Sequence, residues 1–193
     1  MSFICAQEND SWILGTGINI VDNSGSQFKE LINIEENWNI SRLLKITMEK
    51  RFKYDYGIEA SFTLNEFLKK KKINSELNTQ NRNYYAIDIM LKNYVSNYWK
   101  DPRHAKNIMY IIGGWGGNFF NGGINNSFNI GIGINFKTSY KTSLNLQTLG
   151  KFSIDNNTPG NANHLQHSVS FIFQLWENSY RKSYKKSIAN TTF

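Results

Sequence analysis

Long apolar runs are missing from this chain. No segment of its 193 residues approaches the roughly 18 apolar positions that a spanning helix needs, and the mean hydropathy is -0.49. That excludes a helical membrane protein. It does not exclude a membrane β-barrel, because alternation of apolar and polar residues averages hydropathy away. Cysteine is nearly missing too, and the single Cys5 rules out an intramolecular disulfide framework. Proline is scarce against abundant Asn, Lys and Ile, a bias that an AT-rich genome produces by itself. Histidine is limited to His104, His164 and His167. His164 and His167 lie three apart on a strand edge and point to opposite faces, which is poor metal geometry. Acidic residues are the minority charge, and the formal net charge is +7. Such an excess suits nucleic acid or lipid phosphate equally.

What the chain does have is alternation. In "FNIGIGINFK", Phe128, Ile130, Ile132, Ile134 and Phe136 fall on one side, and Asn129, Gly131, Gly133, Asn135 and Lys137 on the other. Period two marks a β-strand with unlike faces. The pattern recurs in "SWILGTGINIVD", "RLLKITMEKRF", "YGIEASFTLNEF", "NYYAIDIMLKNYV", "SLNLQTLGKFSI" and "HLQHSVSFIFQLW". "NIMYIIGGWGGNFF" is rich in Gly and aromatics and reads ambiguously. These segments predict about eight strands of about 10 residues, the length that crosses a bilayer at barrel tilt. Short connections such as "KYD" and "TSYKT" alternate with longer polar ones such as "LKKKKINSELNTQNR" and "DNNTPGNAN". Two connections fit less well: "SNYWKDPRHAK" is long for a periplasmic turn, and "NGG" is short for an outer loop.

The polar faces carry both signs: Lys45, Glu49, Glu59, Asp88, Lys92 and Lys151. Eight strands close a barrel whose interior is just filled by side chains. Charges buried there must pair, or several kcal/mol are lost per ion. These six residues are therefore expected to face a lumen and pair across it. The apolar faces carry almost no charge over the strand centres, as lipid requires. Phe128, Ile130, Ile132, Ile134, Phe136, Val169, Phe171 and Phe173 are expected to face lipid. Aromatics such as Trp12, Tyr56, Tyr85, Trp99 and Phe119 gather near strand ends, as in interfacial girdles. The competing fold is a soluble lipocalin-like barrel with its apolar face turned inward around a ligand. Its exterior would be Asn, Ser, Gln and Gly with few charges, whereas soluble surfaces are nearer a quarter to a third charged. The fold class expected is all-β: an eight-stranded antiparallel up-and-down transmembrane β-barrel with both termini periplasmic.

Around this barrel lie two short segments. "MSFICAQEND" reads as the end of a shortened or mis-started export signal, apolar "FI" and small Ala6 preceding a polar start. The organisation expected is residues 1–7 as that remnant, residues 8–178 as the barrel and residues 179–193 as a basic tail. "GIGINF", "LNLQTLGKFSID" and "NHLQHSVSFIF" resemble the last three strands of the outer-membrane protein A-type barrels of Bacteroidetes. "AQEND" followed by "WILGTGINIVDNSG", and "YGIEASFTLNEF" after a tight turn, resemble the early strands. The resemblance spans Gln7 to Trp176 and implies the fold and a place in the cell outer membrane. Many relatives continue into a periplasmic peptidoglycan-binding domain. This chain ends in its basic tail, so that activity is not implied.

Function is expected to lie in contacts: a structural or interaction barrel, an accessory subunit or scaffold in a cell-envelope complex, not an enzyme. The expected partners are outer-membrane lipid, lipopolysaccharide and other outer-membrane proteins. Neither nucleic acid, a small-molecule substrate, a cofactor nor a metal is expected. Gly113, Gly114, Gly116 and Gly117 are candidate contacts for a lateral partner, since glycine lets another chain approach. The same "GGWGG" is no phosphate loop, lacking the Lys and Ser/Thr of that motif. Arg181, Lys182, Lys185 and Lys186 of the tail are candidates for acidic protein or lipid. Lys69 to Lys72 form a solvated loop or a contact for phosphorylated lipid. Two other classes stay open. One is a small pore, disfavoured by a charged narrow lumen. The other is a rim-active lipid-modifying enzyme built on Ser168, His167 and Asp155.

Overall fold

The computed structural model describes residues 11–22, 38–39, 41–52, 55–70, 72–73, 76–101, 104–120, 122–154 and 163–177. The export-signal remnant, Asp155 and the tail with Arg181, Lys182, Lys185 and Lys186 lie outside them.

Eight long strands follow the alternating segments: β1 Ser11–Asp22, β2 Leu44–Phe52, β3 Tyr56–Phe67, β4 Arg82–Asn93, β5 Asn107–Phe120, β6 Gly123–Lys137, β7 Thr142–Ser153 and β8 His164–Glu177. Each pairs antiparallel with its neighbour in sequence, and β8 pairs with β1. The sheet is therefore closed, which leaves the long strands no open edge. The expected fold class is the observed one. A two-residue strand, Trp38–Asn39, adds to β1 at Val21 and Asp22. Following the register from Ile108 on β5 through Asn135, Asn145, Ser170, Gly17, Lys45, Thr63 and Ala86 returns to β5 at Asn118. The strands are staggered, and closure with stagger forces them to tilt.

The pleat sorts side chains between two surfaces. Outward, Ile89 and Ile132 are each 64% exposed, and Ile18, Ile58, Ile87, Leu91, Ile111 and Phe171 are exposed beside them. Inward, Lys45, Glu49, Glu59, Asp88, Lys92 and Lys151 are buried. Water would select the reverse arrangement, so the soluble ligand-binding alternative is overturned: the apolar faces do not surround a cavity. A wall apolar outside and polar inside is what a bilayer selects, and the barrel sits in lipid.

The two poorly fitting connections have local causes. The connection after β4 begins with Tyr94, which folds under the barrel, and continues into a 3-10 turn at Val95–Tyr98. The segment is long because it closes one end. Between β5 and β6 only residues 121–122 intervene, and Gly122 sits at φ +76, a left-handed turn position that favours glycine. The ambiguous Gly-rich segment is an unbroken strand of 14 residues.

Candidate functional site

The lumen holds two ion-pair clusters. At the end closed by Tyr94, Lys92 Nζ lies 2.9 Å from Glu49 Oε2 and also pairs with Glu59. Arg51 Nε reaches Glu49 Oε1 at 3.5 Å. The Tyr94 hydroxyl donates to Glu49, and the Arg51 guanidinium stands 4.0 Å from the Tyr94 ring centre. Lys92 Nζ also lies 4.6 Å from the Tyr110 ring, whose hydroxyl accepts from Asn145 Nδ2 at 2.6 Å. Glu49 and Glu59 are both held by Lys92 from β4, while Arg51 is held by Glu49 of its own strand and by Tyr94 of the connection after β4.

Nearer the other end, Lys151 Nζ contacts both oxygens of Asp88 at 2.8 Å. Asn129 Nδ2 donates to Asp88 Oδ1 at 2.8 Å, and Ser61 Oγ to Oδ2 at 3.3 Å. A chain of bonds continues outward: Lys151 to Asn118 at 3.3 Å, Tyr84 to Asn118 at 2.9 Å, and Tyr84 with His164 Nε2 at 2.9 Å. Above it, the Phe67 ring packs edge-on against Phe120 and Tyr84, at 4.7 and 5.4 Å between centres. Between the clusters, Lys45 donates to Gln147 and to Ser168 Oγ, the latter at 2.9 Å. Aromatic rings thus cap both ends of a polar interior.

The residues singled out from the sequence fall as follows. Lys45, Glu49, Glu59, Asp88, Lys92 and Lys151 all project inward, but Lys45 joins no carboxylate. Phe128, Ile130, Ile132, Phe136, Val169, Phe171 and Phe173 are exposed on the outer wall, with Ile134 half-buried among them. The four glycines divide. Gly113 and Gly117 face outward beside Trp115, whereas Gly114 and Gly116 face the lumen. This corrects their reading as one lateral contact surface, and the reason is the pleat. A Cβ on Gly114 would meet the Ile89 carbonyl at 2.2 Å, and one on Gly116 would meet Asp88 Oδ1 at 1.9 Å. Gly116 is bare to make room for the Asp88–Lys151 pair.

The rim-enzyme constellation is not assembled. Ser168 points inward to Lys45. His167 points outward, stacked on Trp38 at 5.5 Å and bonded to Thr148 Oγ1 at 3.0 Å. Sequence reasoning did not assign roles to Asn118, Asn129, Gln147 and Tyr110. All four share the inward phase of their strands, which is the signal that finds them. Outside, a shallow apolar groove of about 500 Å³ crosses β5 to β1, lined by Ile18, Met109, Ile132, Leu146, Thr148 and His167. At the Tyr94 end, exposed Tyr98, Trp99 and Tyr140 stand beside exposed Lys100, Lys106, Lys137 and Lys141. The Lys137 N–H donates to the Lys106 carbonyl at 2.8 Å, which joins the two connections carrying them.

Neisserial surface protein A superposes on this barrel with a TM-score of 0.52 and 10% identity, over 86% of this chain and 97% of its own. The fold is that of the eight-stranded outer-membrane β-barrels. Ail, the attachment invasion locus protein of Yersinia pestis, is 11% identical over 87% of this chain and 98% of its own, with a TM-score of 0.48. The outer membrane protein AlkL, seen in lipid bilayers, covers 92% of each chain at 10% identity and a TM-score of 0.41. No family model and no curated protein matches the chain.

Proposed function

We propose that this outer-membrane barrel works through contacts, as a scaffold or accessory subunit of a cell-envelope complex. The filled lumen carries the reading. Its charged groups, Lys45 apart, pair with one another, Lys45 is bonded to Gln147 and Ser168, and its ends are capped by rings, so the interior supplies neither a wide path nor an apolar slot for an acyl chain. The outer wall, the connections and the tail remain as working surfaces. The strand and turn similarities noted in the sequence support placing the chain among the outer-membrane protein A-type barrels of Bacteroidetes. The rim of Lys100, Lys106, Lys137 and Lys141 with Trp99 and Tyr140 suits an interface rich in lipid phosphate, where amphipathic rings and cations both settle.

Orientation follows from the connections. β1, β3, β5 and β7 end, and β2, β4, β6 and β8 begin, at one end of the barrel, while β1 begins and β8 ends at the other. We place the first end outside and the second in the periplasm, as in barrels of this type. In a Cys5→Ser background, Lys69→Cys should react with an impermeant thiol reagent on intact cells, and Ser139→Cys should not. Labelling of Ser139→Cys alone would invert the orientation.

The test of function is assembly. Gentle detergent extraction should place the protein in a species larger than its own 22.4 kDa on native electrophoresis. Deleting residues 180–193 should leave the barrel folded and loosen that species, more so as salt rises. Steady conductance by the purified barrel in planar bilayers, or turnover of a lipid substrate, would overturn the reading.

A further inference from the structure

The charges of the lumen do not balance. Lys45, Arg51, Lys92 and Lys151 project inward along the spanning strands, with Arg82 in the same phase at the start of β4, against Glu49, Glu59 and Asp88. Lys151 answers Asp88. Lys92 and Arg51 together answer Glu49 and Glu59. Lys45 is left over. It is 1% exposed, and its ammonium donates only to the neutral Gln147 and Ser168. An isolated buried ammonium is expensive unless something of opposite charge joins it.

The Glu59 and Asp88 carboxylates act on Lys45 without touching it, and the groups open around it include donors. Gln147 meets Lys45 through its carbonyl oxygen, so its amide nitrogen lies close by, and that nitrogen is buried without an acceptor. Ser170 stands across Gly17 from Lys45 in the register, with no side chain between them, and its buried hydroxyl has no partner. The third hydrogen of the Lys45 ammonium is also unused. These donors come from a point charge, an amide and a hydroxyl, with no planar fork for a carboxylate or phosphate. The ring caps above and below limit the occupant to something small.

We propose that Lys45, Gln147 and Ser170 hold a small monovalent anion of the halide class within the lumen. The anion completes the charge balance of the barrel interior and satisfies donors that the protein leaves open. The rival arrangement is water alone, bridging Lys45 to the open acceptors Glu59 Oε1 and Gln166 Oε1. The site does not depend on the scaffold reading, since it concerns only the folded barrel.

The test refolds the full chain in detergent micelles with sodium chloride, sodium bromide or sodium gluconate at equal ionic strength. The melting temperature should be about 3 °C higher in either halide than in gluconate, as for a ligand near ten times its dissociation constant. Lys45→Met keeps the apolar stem without the charge, and should melt at one temperature in all three salts. Crystals of the unaltered chain grown in bromide should show an anomalous peak in contact with Lys45 Nζ, which decides the matter if Lys45→Met does not fold. Equal melting in halide and gluconate, a halide effect that survives in Lys45→Met, or bromide crystals with no such peak would overturn the proposal.

Discussion

Replacing Asp88 with asparagine should destabilise the barrel by about 3–5 kcal/mol, the usual cost of stranding one partner of a buried ion pair. Asp88 is fully buried and accepts from Lys151, Asn129 and Ser61. The asparagine fits the space but removes the charge that the Lys151 ammonium needs. It also leaves its own amide N–H groups facing donors. The loss should appear as a fall in the urea midpoint of unfolding from detergent or lipid, with an unchanged slope. Removing both charges tests the cause. Asp88→Leu with Lys151→Met should recover most of the loss, because replacing a whole buried pair by apolar groups is often neutral or stabilising. A cost below about 1 kcal/mol for Asp88→Asn would mean that the pair behaves as a solvated one. Water would then reach the lumen, and the case against a pore would weaken with it.

The strands were legible because their two surfaces differ. In β6 the Phe/Ile face and the Asn/Gly face never exchange over ten residues, so period and phase read together. In β2 and β4 charged residues mark the inner phase every second or fourth position. β5 resisted for a physical reason. Its inner face carries Ile108, Tyr110 and Ile112, which belong to an apolar cluster with Tyr94 and Met90, while its outer face carries Met109 and Ile111. Both faces are apolar there, and the glycines that follow have no side chain to mark a phase. Only the position of Asp88 shows why Gly116 must be bare. The partners within the lumen were not legible either. Lys45 and Gln147 are separated by 102 residues, and Asp88 and Lys151 by 63. Their meeting depends on the stagger of the closed sheet, which hydrophobic pattern alone does not set. The left-over charge of Lys45 belongs to the same class of fact: the residue was visible, but its lack of a carboxylate was a property of closure.

A lysine in place of Ile130 should cost about 2–4 kcal/mol, and its cost should depend on depth. Ile130 lies at the centre of β6 and is 52% exposed on the outer wall. On a water-facing surface, exchanging so exposed an isoleucine for lysine would change stability by no more than about 0.5 kcal/mol. In the hydrocarbon the ammonium must be dehydrated or must drag water inward. Asn126→Lys supplies the comparison, on the same face of the same strand and close to its loop end. A lysine there can reach the headgroups, so its cost should be about 0–1 kcal/mol. Both variants would be folded into phospholipid vesicles and unfolded with urea, the folded fraction being read from electrophoretic mobility without heating. The difference between the two positions isolates depth from the general effect of a new charge, since each adds one positive charge to the same wall. Equal and small costs would mean that this wall faces water. The inward charges would then be an ordinary buried network, and the membrane assignment would fall with the lipid-facing surface on which it rests.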